Sequence, residues 1–311
     1  MLRDATVILL MGALAVLLPL SATYRAHLRD RLAATAAATV PAQQQADLEM
    51  RITRRARSAG VGILVAGLLT LLLGWIWDGA NEAAGGFFVL SVMFVAGAAG
   101  LALADIRWPG APADGPRTAR ATSPSLSDYV PRQVLVVGQI FAAIGLLSLI
   151  VTLLLTRSVW FDAATIWHSP VPLLTATLPV LLVFSWLATR RVLDAPQPAR
   201  DEVELYWQDA VRAQTLNSLS VTTPLVALFA LIVCGGILDD AASAAAIAAG
   251  EVGPQWSLWL LVAGYLVPVV LLVSAVAVLI ARHGRWNEMA QFQDRLWGGQ
   301  PPRTHAAGVH S

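Results

Sequence analysis

Two stretches of this 311-residue chain combine hydroxyl side chains with a proline, Thr175, Thr177 and Pro179 in the first and Ser218, Ser220, Thr222, Thr223 and Pro224 in the second. A proline inside a helix frees the carbonyl one turn back, and hydroxyls beside such a break can coordinate an ion or a polar group of a substrate. The same hydroxyls also have a simpler use, because they can repair the backbone bond that proline removes. Gln139 lies deep in an apolar run, where an interhelical hydrogen bond or a ligand contact would equally use its carboxamide.

Charged residues cluster elsewhere. Arg54, Arg55 and Arg57 immediately precede an apolar run, a pattern that suits contact with anionic lipid headgroups and fixes orientation. The stretch Asp47-Leu48-Glu49-Met50, leading to Arg57, parallels Glu202-Val203-Glu204-Leu205, leading to Arg212. Duplication and chance both account for so short a match. Read as helices, Leu48 and Ile52, like Val203 and Trp207, are four residues apart and share an apolar face. Glu49 and Arg57, like Glu204 and Arg212, then form a charged strip open to a partner protein. A further amphipathic stretch runs from Arg285 to Trp297, with Trp286, Met289, Phe292 and Leu296 at helical spacing.

Other reactive groups are too sparse for chemistry. Trp160-Phe161-Asp162 and Trp167-His168 supply one acid and one histidine, short of a metal ligand set, and read as an interfacial anchor. Asp239-Asp240 reads as a solvated pair at a helix end, and Cys234 stands alone. No Ser-His or Cys-His pairing is evident, so the sequence points to no catalytic residue, metal or cofactor, and no basic domain for nucleic acid is present.

The elements that must position these residues are set by composition. Hydrophobic residues make up 57% of the chain and charged ones 13%, and the mean hydropathy is +0.64, well above that of a water-soluble domain. Seven segments lack Asp, Glu, Lys, Arg and His altogether: 5–23, 59–77, 86–104, 133–156, 172–189, 218–238 and 256–281. Each is long enough to cross a bilayer. No intervening piece approaches the roughly 50 residues of an independent domain, which excludes a soluble enzyme or receptor domain.

The predicted fold is an all-α integral membrane protein, one N-terminal helix followed by three helical hairpins, with amphipathic juxtamembrane helices. Residues 1–297 form a single polytopic domain. A disordered tail is expected over 298–311, after Gly298-Gly299 and Pro301-Pro302, and a flexible loop from Trp108 to Pro124. All 21 basic residues of the Lys+Arg count are arginine, and an N-out, C-in arrangement places all but Arg3 and Arg157 on the cytoplasmic side. Residues 1–23 also have the form of a signal peptide, but removing them would reverse that bias. The arginine usage favours a bacterial inner (plasma) membrane.

No charged residue falls inside the seven segments, so there is no intramembrane relay for a proton pump or voltage sensor. The resulting expectation is a non-enzymatic, structural or partner-binding membrane component. A transporter of a neutral or lipid-like substrate, using the Thr/Pro breaks, is the alternative, and an interfacial lipid-modifying enzyme is a third.

Overall fold

The computed structural model describes residues 2–76, 82–108, 124–252, 254–283 and 289–302. Among these, seven helices are long and apolar enough to cross a membrane, and the architecture is all-helical. The chain runs α1 (Leu2–Leu17), a 3₁₀ turn at Leu18–Leu20, α2 (Ala22–Ala36), α3 (Ala42–Ile76), α4 (Glu82–Arg107) and α5 (Leu126–Tyr129). It continues through α6 (Arg132–Leu155), α7 (Ala163–Trp167), α8 (Val171–Asp194), α9 (Glu202–Ala248), α10 (Ser257–His283) and α11 (Ala290–Trp297). Sequential pairs α3 and α4, α6 and α8, and α9 and α10 pack together as the hairpins expected, and α1 lies against α3. The expected loop at 109–123 and the part of the tail from residue 303 onward lie outside the described residues, as does 284–288 of the stretch before α11.

Helix α9 is the axis of the fold. Its 47 residues span about 70 Å at 1.5 Å per residue, more than twice the hydrocarbon thickness of a bilayer. Asp201 starts it as an N-cap, its carboxylate accepting the Glu204 amide at 2.7 Å. No glycine or proline occurs between Pro198 and Pro224, so nothing separates the charged stretch from the apolar one. Helix α3 follows the same logic from Pro41 to Gly60.

The juxtamembrane stretches are therefore helical but are not separate surface helices. All nine residues from Leu205 to Ala213 are buried, which a helix with one lipid or solvent face could not achieve. They are enclosed because α2, α5 and α11 fold over this end of the bundle, forming a core of Leu32, Tyr129, Tyr206, Trp207, Met289 and Phe292. Leu48 and Ile52 face this core, as do Val203 and Trp207, so the expected apolar faces meet neighbouring helices. Helix α11 is likewise a lid on the bundle end: Phe292 is fully buried, and the Gln293 amide donates to the Ala36 carbonyl and the Tyr206 hydroxyl. The αL conformation of Gly298, φ 62°, ends it as the sequence suggested.

Further along α9 a second core joins it to α6, α7 and α8 through Leu149, Ile166, Leu178, Ala227 and Ile237. Gly235 and Gly264 bring α9 and α10 close, since a Cβ at Gly264 would stand 2.7 Å from the Gly235 Cα. Helix α7 is docked by the Asp162 amide on the Ala241 carbonyl at 2.9 Å, with Trp160 and Trp167 exposed.

Candidate functional site

The hydroxyl and proline groups do not form a binding break. Helices α8 and α9 continue through Pro179 and Pro224 without unwinding. The hydroxyls of Thr175, Thr177 and Thr222 donate to the carbonyls of Val171, Leu173 and Ser218, each four residues back in the same helix, at 2.8, 2.8 and 2.7 Å. Thr177 is exposed on the outer surface, whereas Thr223 is buried with an unpartnered hydroxyl. Gln139 is exposed on the outside of α6, away from the interhelical contact expected of its carboxamide, because the buried face of that helix is carried by Gly138, Phe141, Ala142 and Gly145.

The arginine-rich end holds the polar machinery instead. Charged residues just beyond the apolar segments converge there and are buried, which the charge-free segments gave no reason to expect. Arg55 and Asp105 are 4% and 5% exposed and approach at 3.1 Å between Nε and Oδ1. The contact is ionic and lies off hydrogen-bond alignment for these two atoms. Thr215 of α9 ties the pair together: its hydroxyl accepts from Arg55 Nη2 at 2.5 Å and donates to Asp105 Oδ2. Arg55 also donates to Gln214 Oε1 at 3.0 Å and to the Val211 carbonyl at 3.2 Å. One ion pair thus joins α3, α4 and α9.

A second buried carboxylate, Asp209, collects hydrogen bonds from Tyr129 at 2.9 Å, Gln197 at 3.1 Å and the Trp297 indole at 2.9 Å. Burial, followed by the adjacent Asp209 charge, pushes the Tyr129 hydroxyl well above its usual pKa, so it stays a donor at physiological pH. Arg212 is buried rather than solvated and donates to the Ala195 carbonyl. Arg57, its counterpart in the sequence parallel, is exposed. The two stretches therefore occupy different environments, and the continuous charged strip expected from Glu204 to Arg212 does not exist. Glu49 pairs with Arg29 at 2.7 Å, and Glu204 accepts from the Arg200 amide at 2.8 Å.

Beside these networks a cleft of about 550 Å³ opens between α3, α4 and the start of α9. Helical spacing builds each wall: Arg51, Arg54 and Arg55 stand at i, i+3 and i+4 on α3, Ala104, Arg107 and Trp108 repeat that spacing at the end of α4, and Glu204 and Gln208 are one turn apart on α9. Five arginines line it, Arg200 included, against the three carboxylates Asp47, Asp201 and Glu204. Asp201 is engaged in capping α9 and accepts from Gln44 at 3.0 Å. Among the described residues Arg51, Arg54 and Arg107 form no ion pair. The walls also hold buried polar atoms without partners, the donors Arg51 Nε and Trp207 Nε1, where Trp207 is only 4% exposed, and the acceptors Gln44 Oε1 and Gln208 Oε1. Such a surface suits a phosphate or carboxylate.

Of the residues singled out in the sequence, Asp47, Leu48, Met50, Arg54, Arg55, Glu204 and Trp207 meet at this cleft, whereas Arg57, Glu49 and Arg212 do not line it. Sequence reasoning missed Arg51, Asp105, Arg107, Tyr129, Asp209 and Thr215. The absence of helix breakers before Gly60 and Pro224 was the available signal, since continuous helices carry these charges into the bundle. Among the described residues no group of three or more His, Cys, Asp or Glu could hold a metal ion. Comparison with protein family models, curated proteins and solved structures gives no match to this chain.

Proposed function

We propose that this chain is a non-enzymatic, multi-pass protein of a bacterial inner membrane that binds an anionic partner at its arginine-rich end. The orientation is N-out and C-in, which makes that end cytoplasmic and agrees with the positive-inside rule. The observation that carries the reading is the cleft between α3, α4 and α9, where five arginines face three carboxylates and buried donors lack acceptors. Its walls are held by the Arg55–Asp105–Thr215 and Tyr129–Asp209–Trp297 networks, so the site is organised before any ligand arrives. Organisation of this kind fits binding better than a merely solvated charged face.

Thermal unfolding of the full chain in neutral detergent tests the proposal, with glycerol 3-phosphate as probe against potassium chloride at matched ionic strength. The phosphate should raise Tm, and Arg54→Gln combined with Arg107→Gln should abolish the rise; both side chains are exposed, so the fold should tolerate the change. No rise, or an equal rise in the variant, would refute the assignment. Orientation is tested separately by a C-terminal alkaline phosphatase fusion, which should be inactive.

A further inference from the structure

We infer that the anionic partner is a diacyl phospholipid, with its phosphate in the arginine cleft and its chains in an adjoining groove on the side of the bundle. This deepens the preceding reading of the cleft and rests on it. The groove, about 1050 Å³, lies between α3, α4 and α8 and is lined almost wholly by apolar side chains. Its floor is made of small residues such as Gly62, Ala66, Ala96 and Gly100, and its sides include Val65, Leu103 and Phe184. Gly62 and Gly100 are required for this shape: a Cβ on either would collide with the α4 carbonyl of Ala96 or the α3 carbonyl of Ser58, respectively.

Three features point to a lipid. Arg54 and Trp108 line both the cleft and the groove, so a single amphiphile can occupy both. Arg57 and Arg191 lie at the same end of the groove, which places positive charge at one end only. The groove runs along α3 from Arg54 to Leu69, about 22 Å at 1.5 Å per residue, and its uncharged part from Ser58 to Leu69 is about 16 Å, close to one leaflet of a hydrocarbon core about 30 Å thick. A path for moving a substrate across the membrane would need twice that depth. The geometry therefore fits a lipid held in one leaflet, its chains sheltered and its phosphate among Arg51, Arg54 and Arg107.

Native mass spectrometry of the full chain in neutral detergent, titrated with dioleoyl phosphatidylglycerol or dioleoyl phosphatidylcholine, tests this. Phosphatidylglycerol should be retained at least tenfold more tightly than phosphatidylcholine. Leu103→Trp should weaken that retention about tenfold by filling the groove; Leu103 is 62% exposed, so the larger ring need not disturb packing. The same variant should leave the thermal shift with glycerol 3-phosphate unchanged, which also confirms that it folds. If glycerol 3-phosphate binds in an arginine-dependent way but the two lipids are retained equally, or Leu103→Trp has no effect on lipid, the phospholipid inference fails and the anion cleft stands. If Arg54→Gln with Arg107→Gln changes neither the glycerol 3-phosphate response nor lipid retention, both fail.

Discussion

Removing the Asp105 carboxylate should destabilise the protein far more than removing the whole Arg55–Asp105 pair. At 3.1 Å and an effective dielectric of about 20, the pair attracts by about 5 kcal/mol. Desolvating two ions costs several kcal/mol each, so the net worth of the intact pair is small. The single deletion is different. In Asp105→Ala, Arg55 keeps its desolvation cost and loses its counter-charge, and Thr215 loses its shorter acceptor and keeps only the Val211 carbonyl at 3.4 Å. A loss of about 3–5 kcal/mol is expected for breaking such a pair. The double variant Asp105→Ala/Arg55→Met removes the stranded charge and should recover at least about 2 kcal/mol of that loss, a coupling typical of residues in direct contact. Thr215→Val, which keeps both charges, should cost about 1–3 kcal/mol through the lost bridging bonds. Reversible unfolding by SDS titration in mixed micelles, followed by tryptophan fluorescence, gives all three values. A loss below about 1 kcal/mol for Asp105→Ala, or a double variant no more stable than Asp105→Ala, would refute the assignment of a desolvated, mutually dependent pair.

Other perturbations separate the remaining contacts. Tyr129→Phe should lose about 1.5–3 kcal/mol, since it removes a donor to a buried carboxylate, and the same titration measures it. Asp162→Ala should cost about 1 kcal/mol, because the carboxylate caps α7 through the Thr165 amide and hydroxyl, both at 2.7 Å. Those bonds hold the Asp162 pKa below its usual value, so its contribution is complete above about pH 4–5 and fades as pH falls through the depressed pKa; wild type and the Ala variant should converge in stability only in that acid range. Truncation after residue 302 should leave the monodisperse peak on size exclusion unchanged, whereas truncation after residue 288 removes the Trp297 and Gln293 bonds with the buried Phe292 and should broaden it or shift it into aggregate.

The membrane helices were legible because charge is costly in hydrocarbon: a run of about 20 positions free of ionisable residues is the composition that a bilayer interior demands and that a water-facing helix does not keep. The hairpin pairing followed from short connections. Hydropathy could not show where the helices end. The apolar segment 218–238 occupies less than half of α9, and the segment 59–77 a little more than half of α3. Beyond those limits polarity ordinarily signals exposure, and that rule fails where side chains far apart in sequence satisfy one another. Thr215 is 110 residues from Asp105 and 160 from Arg55, so no local pattern pairs them.

The run Leu205-Tyr206-Trp207-Gln208-Asp209-Ala210-Val211-Arg212 shows the physical reason most clearly. Read alone, its charges suggest a surface, and two apolar residues four apart suggest one packed face. Yet large aromatic side chains at 206 and 207 point about 100° apart on a helix, so both can be buried only if the helix is enclosed over a wide arc. Once enclosed, Asp209 and Arg212 must find partners or leave their charges stranded, and α5, α11 and the 195–197 connection supply them. Tyr129 and Trp297 bring a polar tip and a large apolar body together, which is why they close this end where purely aliphatic side chains would leave the carboxylate unsatisfied. The same closure holds the start of α9 against α3 and α4 and so sets the width of the arginine cleft. Gln208 on the wall of that cleft is followed directly by Asp209, so the proposed ligand site and the Asp209 network share one turn of α9.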